Sequence, residues 1–421
     1  MKKSARGTLS LLILLALSTP VWADPAWIRA TDVTGQPSTK PVKGGGGIAV
    51  VGDFVYLIVG NNTPDFMKYS IVDNTWAAIA PGVPVAERKK KNVKKGAYIV
   101  EDGTNIYIFK GASTNEFYKY SIADNLWTAL PSPEFTKGIK GGFAVLVNLM
   151  GKQYIYAGSG SNTAEWKRFD LLAGAWEAAM PAALPVEKAK VGSGLAFDGG
   201  NLLYFLTSRG KTNSFFVTNL ADVTPVWTEK RELPVSTPSG GKKKVKEGGC
   251  LLWFNNLVYA VKGGSTKEFW YFDPAADSWS YVGEVGDGAA TKGIKCGRSI
   301  ATDGDLLFCV IGNNTNEFWY YTPPVAEMSS LRPAVAGSPV PMTGGALSTV
   351  PNPARGGTKI SCQLPVHGAA RLTVYNSAGR AVYRAASITG SFGSVRLPAE
   401  TYVARVDTGA SVAESNLVVL E

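Results

Sequence analysis

The sequence predicts an all-β protein in which six four-stranded sheets close into a ring, followed by a small β-sandwich. Three observations lead there. The 421 residues include 47 Gly, 24 Pro, 11 Trp, 17 Tyr and 17 Phe, a composition of short strands and turns rather than of helical bundles. A Lys-x-Gly signature recurs six times along the chain, and recurrence at a fixed spacing is the mark of a repeat architecture. Between signatures the apolar residues alternate with period two and are punctuated by turn dipeptides, which excludes a helical repeat. With 45% hydrophobic and 18% charged residues, the chain is too apolar to be disordered.

Residues 1–23 read as a secretory signal peptide. Lys2, Lys3 and Arg6 precede the apolar run from Leu9 to Leu17, and Val21-Trp22-Ala23 offers small residues for cleavage. A membrane anchor is the weaker reading, because the run falls short of the roughly 20 residues that cross a bilayer, and no later segment reads as transmembrane. Losing the leader with its three cations leaves 398 residues and a formal charge of +7. The four cysteines of an exported chain could form disulfides. Pairing around the Asp303-Gly304-Asp305 turn, however, sets Cys309 opposite Ser299 and not Cys296, so free, mostly buried thiols are expected.

The repeats follow. The signature lysines are Lys43, Lys94, Lys140, Lys190, Lys246 and Lys295, at steps of 51, 46, 50, 56 and 49 residues. Each opens a β-rich run that ends in a turn, as at Gly52-Asp53, Asp102-Gly103 or Asn255-Asn256, before a second apolar strand; these are hairpins. A loop threonine comes next (Thr63, Thr114, Thr163, Thr212, Thr266, Thr315). Three residues later an aromatic begins a third strand (Phe66, Phe117, Trp166, Phe215, Phe269, Phe318). A fourth strand carries Trp76, Trp127, Trp176, Trp227 or Trp279. Four strands per unit make a propeller blade, since such a sheet cannot bury both faces without neighbours.

The sixth repeat lacks its fourth-strand tryptophan and runs into Pro323-Pro324, which block a further central strand. The mature N-terminus supplies the missing piece: Asp24-Pro25-Ala26-Trp27 matches Asp73-Asn74-Thr75-Trp76, and Trp27 lies 49 residues before Trp76. The N-terminal strand is therefore expected to complete blade six and close the ring, leaving no open edge. These features resemble kelch-type β-propellers, which carry a basic residue before the innermost strand, a Tyr then glycines on the second and a Trp on the fourth. Tyr56, Tyr107, Tyr154, Tyr204 and Tyr259 answer to the tyrosine, Phe308 replaces the sixth, and the double glycine stands at Gly263-Gly264. The resemblance covers residues 24–325.

Residues 326–348 are rich in Pro, Ser, Gly and Ala and read as a linker. From 349 to 421 the chain alternates again, as in an Ig-like sandwich. This segment is similar to the C-terminal sorting domains of the bacterial type IX secretion system, through Pro351-Asn352-Pro353, Tyr375-Asn376-Ser377-Ala378-Gly379-Arg380 and Leu397-Pro398-Ala399-Glu400-Thr401-Tyr402. Glu400 stands where that family has glycine, and a small Ig-like module without a sorting role is the alternative. The resemblance implies recognition by outer-membrane export machinery and a secreted or cell-surface location in a Gram-negative-type bacterium.

The single histidine, His367, removes most metal sites and catalytic triads, because each needs an imidazole at the reacting atom, so no metal and no cofactor is expected. The propeller has neither the two histidines of kelch-class copper oxidases nor the Ser-x-Asp-x-Gly-x-Thr-Trp pattern of sialidases. What remains is charge. Strand direction alternates in a meander, so the Lys-x-Gly and Thr-x-acid motifs share a face. That face is expected to gather the six signature lysines and five more, Lys40, Lys91, Lys137, Lys243 and Lys292, against Asp65, Glu116, Glu165, Glu268 and Glu317, a surplus of six positive charges.

Paired within or between blades, these groups would form an ion-pair ring with a structural role. Unpaired, the lysines would funnel in an anionic polysaccharide or acidic peptide. The sequence thus points to a non-enzymatic surface or extracellular binding protein. The alternatives are a carbohydrate-active lyase or isomerase using Lys, Tyr and Glu, or a purely structural envelope component. Nucleic acid is a poor partner for an exported chain with no nucleic-acid fold.

Overall fold

The computed structural model describes residues 26–323 apart from 86–90, 180, 182 and 239, and beyond them residues 348–350, 354–355, 361–363, 371–376, 381–385, 400–407 and 412–420. The expected leader, the linker up to residue 347, and the sorting motifs at 351–353, 377–380 and 397–399 lie outside the described residues. The described chain is all β-strand, turn and loop, with no helix, and it builds a six-bladed β-propeller.

Each blade is a four-stranded antiparallel meander, as in Gly47–Val51, Phe54–Ile58, Phe66–Ser70 and Thr75–Ala78 of blade one. The first hairpins turn tightly. In blade five Phe254 pairs with Leu257 across Asn255 and Asn256, whose φ values of 48° and 60° suit the twist of the flanking strands. Innermost strands Gly47–Val51, Tyr98–Glu101, Phe143–Leu149, Gly194–Phe197, Cys250–Phe254 and Ile300–Thr302 contact one another in chain order, and the sixth returns to the first. The ring is closed by the N-terminal strand. Ala26–Arg29 lies antiparallel to Phe318–Thr322, with Trp27 opposite Tyr321, as the outer strand of blade six.

One contact is repeated at all six blade junctions. The outer-strand tryptophan of each blade packs against the aromatic that opens the third strand of the blade before it: Trp76 on Phe318 at 5.1 Å, Trp127 on Phe66 at 5.2 Å, Trp176 on Phe117 at 5.5 Å, Trp227 on Trp166 at 5.7 Å, Trp279 on Phe215 at 4.9 Å, and Trp27 on Phe269 at 5.0 Å. Tilted and edge-on pairs of this kind add to the burial of large apolar rings. In five blades the indole N–H also donates to a main-chain carbonyl of the preceding blade's exit segment, at Thr31, Pro81, Pro131, Ala183 and Arg231. Trp27 keeps the packing and not this bond. Its main-chain N–H donates instead to Asp287 Oδ2 at 2.9 Å, and its indole N–H has no partner among the described residues.

Two local expectations are corrected. In blade three the tyrosine in the repeated position is Tyr156, whose ring packs at a tilt on Trp166 at 5.5 Å, while Tyr154 lies under Arg168. The first hairpin there is longer, Phe143–Leu149 with Lys152–Gly158, so counting from its turn falls two residues short. Cys309 lies opposite Ile300, one residue from the expected Ser299. Cys250, Cys296 and Cys309 are nonetheless free and buried.

Beyond the propeller, Ala354–Arg355, Val412–Leu420, Glu400–Asp407, Arg371–Asn376 and Ala381–Ala385 form one sheet in that spatial order, and Ser348–Val350 pairs with Ser361–Gln363 in a second.

Two outcomes follow from the packing. Trp27→Ala removes a side chain only 6% exposed from the closing junction and is expected to lower stability by ~3–5 kcal/mol, whereas Leu126→Ala, 61% exposed, stays within ~0.5 kcal/mol; urea midpoints check both. Burial pushes the Tyr56 hydroxyl up to about 12, and those of Tyr107 and Tyr204 up as well. Because the unfolded chain gives up these protons near pH ~10, the stability they contribute is complete below that pH and is lost as pH rises toward 12. Denaturation midpoints at pH 8 and 11 should differ in that sense, and Tyr56→Phe should reduce the difference.

Candidate functional site

The Lys-x-Gly segment is a turn placed at the axis. In blades one, two, four and five the lysine carbonyl accepts a hydrogen bond from the amide three residues on, as in Gly46 N to Lys43 O at 2.7 Å and Gly249 N to Lys246 O at 2.7 Å. The lysine amide is tied back to the end of the second strand, as in Lys246 N to Lys262 O at 3.0 Å. The residue before each lysine, Val42, Val93, Ile139, Ala189, Val245 or Ile294, is buried, so the lysine side chain is turned out of the core. The glycine is demanded by the next blade. Gly192 has φ of 93°, and a Cβ there would stand 1.9 Å from the carbonyl oxygen of Lys246.

These turns border a cavity of about 810 Å³ at one mouth of the ring, lined by Lys140, Lys190, Lys246 and Lys295 from four successive blades and by Lys95, Lys244 and Glu247. Ser161, Asn162, Ser208 and Ser265 add hydroxyl and amide groups. Lys95 Nζ lies 3.1 Å from Glu247 Oε2, and blades two and five stand opposite each other in a ring of six, so this ion pair reaches across the mouth. Lys244 Nζ donates to Gly210 O at 2.7 Å. Lys140, Lys190, Lys246 and Lys295 form no ion pair with any described residue.

Of the other expected lysines, Lys43 and Lys94 are exposed but do not line this cavity, and Lys40, Lys137 and Lys243 are also exposed. Lys91 and Lys292 donate to the loop carbonyls of Ala112 and Asn313. The ring of ion pairs expected between these lysines and the five acids is not formed among the described residues, because the acids have nearer partners. Asp65 accepts from the amide of Ser38 at 3.0 Å and from its hydroxyl, Glu165 from the amide of Thr136 at 2.9 Å, and Glu317 from the amide and hydroxyl of Thr291. Glu116 and Glu268 pair with two lysines that the repeat signature does not single out. Lys110 Nζ reaches Glu116 at 2.7 Å and Lys262 Nζ reaches Glu268 at 2.5 Å.

Both of these ammonium groups are wholly buried, with an aromatic beside them: Tyr118 OH donates to Glu116 and Trp270 Nε1 to Glu268. Burial lowers the Lys262 pKa from its ordinary value, with Glu268 opposing the shift. Burial also acts on Glu165, but the hydrogen bonds from Thr136 and its neighbours outweigh it and hold that carboxyl below its usual range. The sequence signal for Lys110 and Lys262 was the residue just before the loop glycine, which is Val59 in blade one and Ile311 in blade six. The signal for Lys95 and Glu247 was the variable middle position of Lys-x-Gly.

No family model matches this chain, and no curated protein matches it. Among solved structures it is similar to a fungal alcohol oxidase of the AA5 family in complex with copper, at 11% identity and a TM-score of 0.47, covering 95% of this chain and 100% of that one. It is similar to YjhT at 16% identity and a TM-score of 0.47, covering 69% of this chain and 95% of that one. It is also similar to PorZ of Porphyromonas gingivalis, a bacterial surface component of the type IX secretion system, at 14% identity and a TM-score of 0.36. That match covers 89% of this chain and 51% of PorZ, so the chain spans about half of PorZ's length.

The buried and exposed ion pairs should separate cleanly under mutation. Glu268→Gln leaves the Lys262 ammonium buried without its counter-charge and is expected to cost ~3–5 kcal/mol, most of it recovered in the double variant Lys262→Met/Glu268→Leu. Lys95→Ala breaks a pair whose lysine side chain is 53% exposed and should cost no more than ~1 kcal/mol. Chemical denaturation of the four proteins makes the comparison.

Proposed function

We propose that the chain is an exported, kelch-like propeller (24–325) joined by a linker (326–348) to an Ig-like C-terminal sorting module (349–421). It acts as a non-enzymatic binding protein outside the cell or on its surface, and its ligand is an anionic glycan or acidic peptide held at the lysine-lined mouth. The observation that carries this reading is the cavity of about 810 Å³ bordered by Lys140, Lys190, Lys246 and Lys295, none of them in an ion pair with a described residue. Cations gathered around a concave, low-dielectric opening add their fields and raise the local concentration of an anionic chain. The cavity's hydroxyl and amide groups suit the hydrogen bonding of a sugar or a peptide backbone. The export and sorting parts of the reading are supported by the leader and by the tail motifs in the sequence.

Retention on immobilised polygalacturonate and polyglutamate tests this. Binding should fall as salt rises from about 0.05 M to about 0.5 M, where the screening length shrinks to a few ångströms. Substituting Gln for Lys140, Lys190, Lys246 or Lys295 singly should weaken binding about two- to fivefold, as expected for ~0.5–1 kcal/mol per exposed pair. Lys43→Gln and Lys94→Gln, outside the cavity, should change it less. Retention that ignores salt, or that depends equally on all six lysines, overturns the assignment of this cavity.

A further inference from the structure

The lumen holds a second, separate chamber. The segment after the sixth Lys-x-Gly turn bridges to both neighbouring blades: Gly297 N donates to Gly46 O of blade one, Arg298 O accepts from Ile48 N at 2.9 Å, and Ser299 Oγ donates to Gly248 O of blade five at 3.1 Å. Beyond it lies a cavity of about 220 Å³ that shares no lining residue with the lysine-lined one. Its walls are the inner strands of the blades, chiefly Val50, Val100, Leu195, Leu251 and Leu252, with Phe197 and Trp253 half-buried. Four polar side chains stand among them, and one, Thr302, is spent on Leu306 O at 2.7 Å.

Among the described residues the Arg298 guanidinium makes one hydrogen bond, from Nη1 to Ile99 O at 3.3 Å, and no ion pair. A guanidinium has five N–H donors, so most of them are left for the chamber. Tyr98, 2% exposed, has among the described residues the weak partner Cys250 Sγ at 3.8 Å beside its hydroxyl. The Glu101 carboxylate accepts one hydrogen bond among the described residues, from Gly103 N at 3.0 Å. Burial pushes its carboxyl up from the ordinary value while Arg298 opposes the shift, so the two charges act on each other without touching. Arg298 is anchored at Ile99 O, and Glu101 lies two residues further along the same inner strand with no ion pair between the two. Two opposite charges that line one chamber without pairing suit the carboxylate and the ammonium of an α-amino acid, each held by a charge-assisted hydrogen bond of ~2.8 Å. An apolar cavity of ~150 Å³ already takes benzene, so about 220 Å³ has room for a branched aliphatic side chain as well.

We propose that this chamber is a second ligand site, for a small zwitterion: a free α-amino acid with an apolar side chain, its carboxylate on Arg298, its ammonium on Glu101 and its side chain against the inner-strand leucines and valines. The site is independent of the lysine-lined mouth.

Titration calorimetry on the full chain decides it, using leucine, 4-methylpentanoate, which lacks the ammonium, and 3-methylbutylamine, which lacks the carboxylate. Leucine should give saturable heat and quench Trp253, and both analogues should bind more weakly. Arg298→Gln should weaken leucine and 4-methylpentanoate by about tenfold or more, the loss of a charged hydrogen bond. Glu101→Gln should weaken leucine and 3-methylbutylamine while leaving 4-methylpentanoate unchanged, and Leu126→Ala, on an exposed outer strand outside both cavities, should leave leucine binding as it is. Should Arg298→Gln not fold, Arg298→Lys and the Glu101 variant carry the same comparison. Absence of saturable leucine binding to the folded wild-type chain, or leucine binding indifferent to both Arg298 and Glu101, or analogues that match leucine, overturns the proposal.

Discussion

The structure depends on one contact, an outer-strand tryptophan laid against the aromatic that opens the third strand of the neighbouring blade. A four-stranded sheet with two apolar faces is unstable alone. Repeating one aromatic contact at every junction hides those faces and fixes the angle between blades. Trp27 on Phe269 and Trp76 on Phe318 are the two junctions at which blade six meets its neighbours, and both join residues far apart in the chain. Closure is therefore a long-range event, and the lysine turns reach a common axis only because of it.

Within this regular frame the chemistry is irregular. The Lys-x-Gly turns of blades one, two, four and five are closed by the same main-chain hydrogen bond, but the middle residue of the six is Gly44, Lys95, Gly141, Val191, Glu247 or Cys296. The two charged ones come from opposite blades and meet across the mouth. Those same blades, two and five, carry the buried pairs Lys110–Glu116 and Lys262–Glu268, each with an aromatic donor on the glutamate. The cavity at the mouth is consequently bordered by the signature lysines of blades three to six and not by all six. A fold of this kind hosts many activities, so its function has to be argued from such departures from symmetry.

The acids show how burial reorganises charge. Main-chain amides and buried lysines lie closer to these carboxylates than the axial lysines do, and a buried carboxylate takes the partner that satisfies it at the shortest reach. Each acid so engaged is withdrawn from the mouth, which keeps its positive charge. The same accounting marks the lower chamber, where Arg298 and Glu101 share a wall without a direct bond.

Much of the fold was legible in the sequence because its determinants are local and repeated. Period-two alternation gave the strands, turn residues the hairpins, and the spacing of Trp27 from Trp76 the closing strand. Tyr156 was missed because the longer hairpin of blade three shifts the count by two without altering the alternation. The site was legible only in part. The sequence by itself determined that six lysines stand at equivalent turns, since each turn is built by a handful of neighbouring residues. Only the tertiary structure decided which lysines share a cavity and which acids are spent elsewhere. Those outcomes depend on side chains reaching across the axis or into the core between residues such as Lys95 and Glu247, and no local pattern encodes that distance.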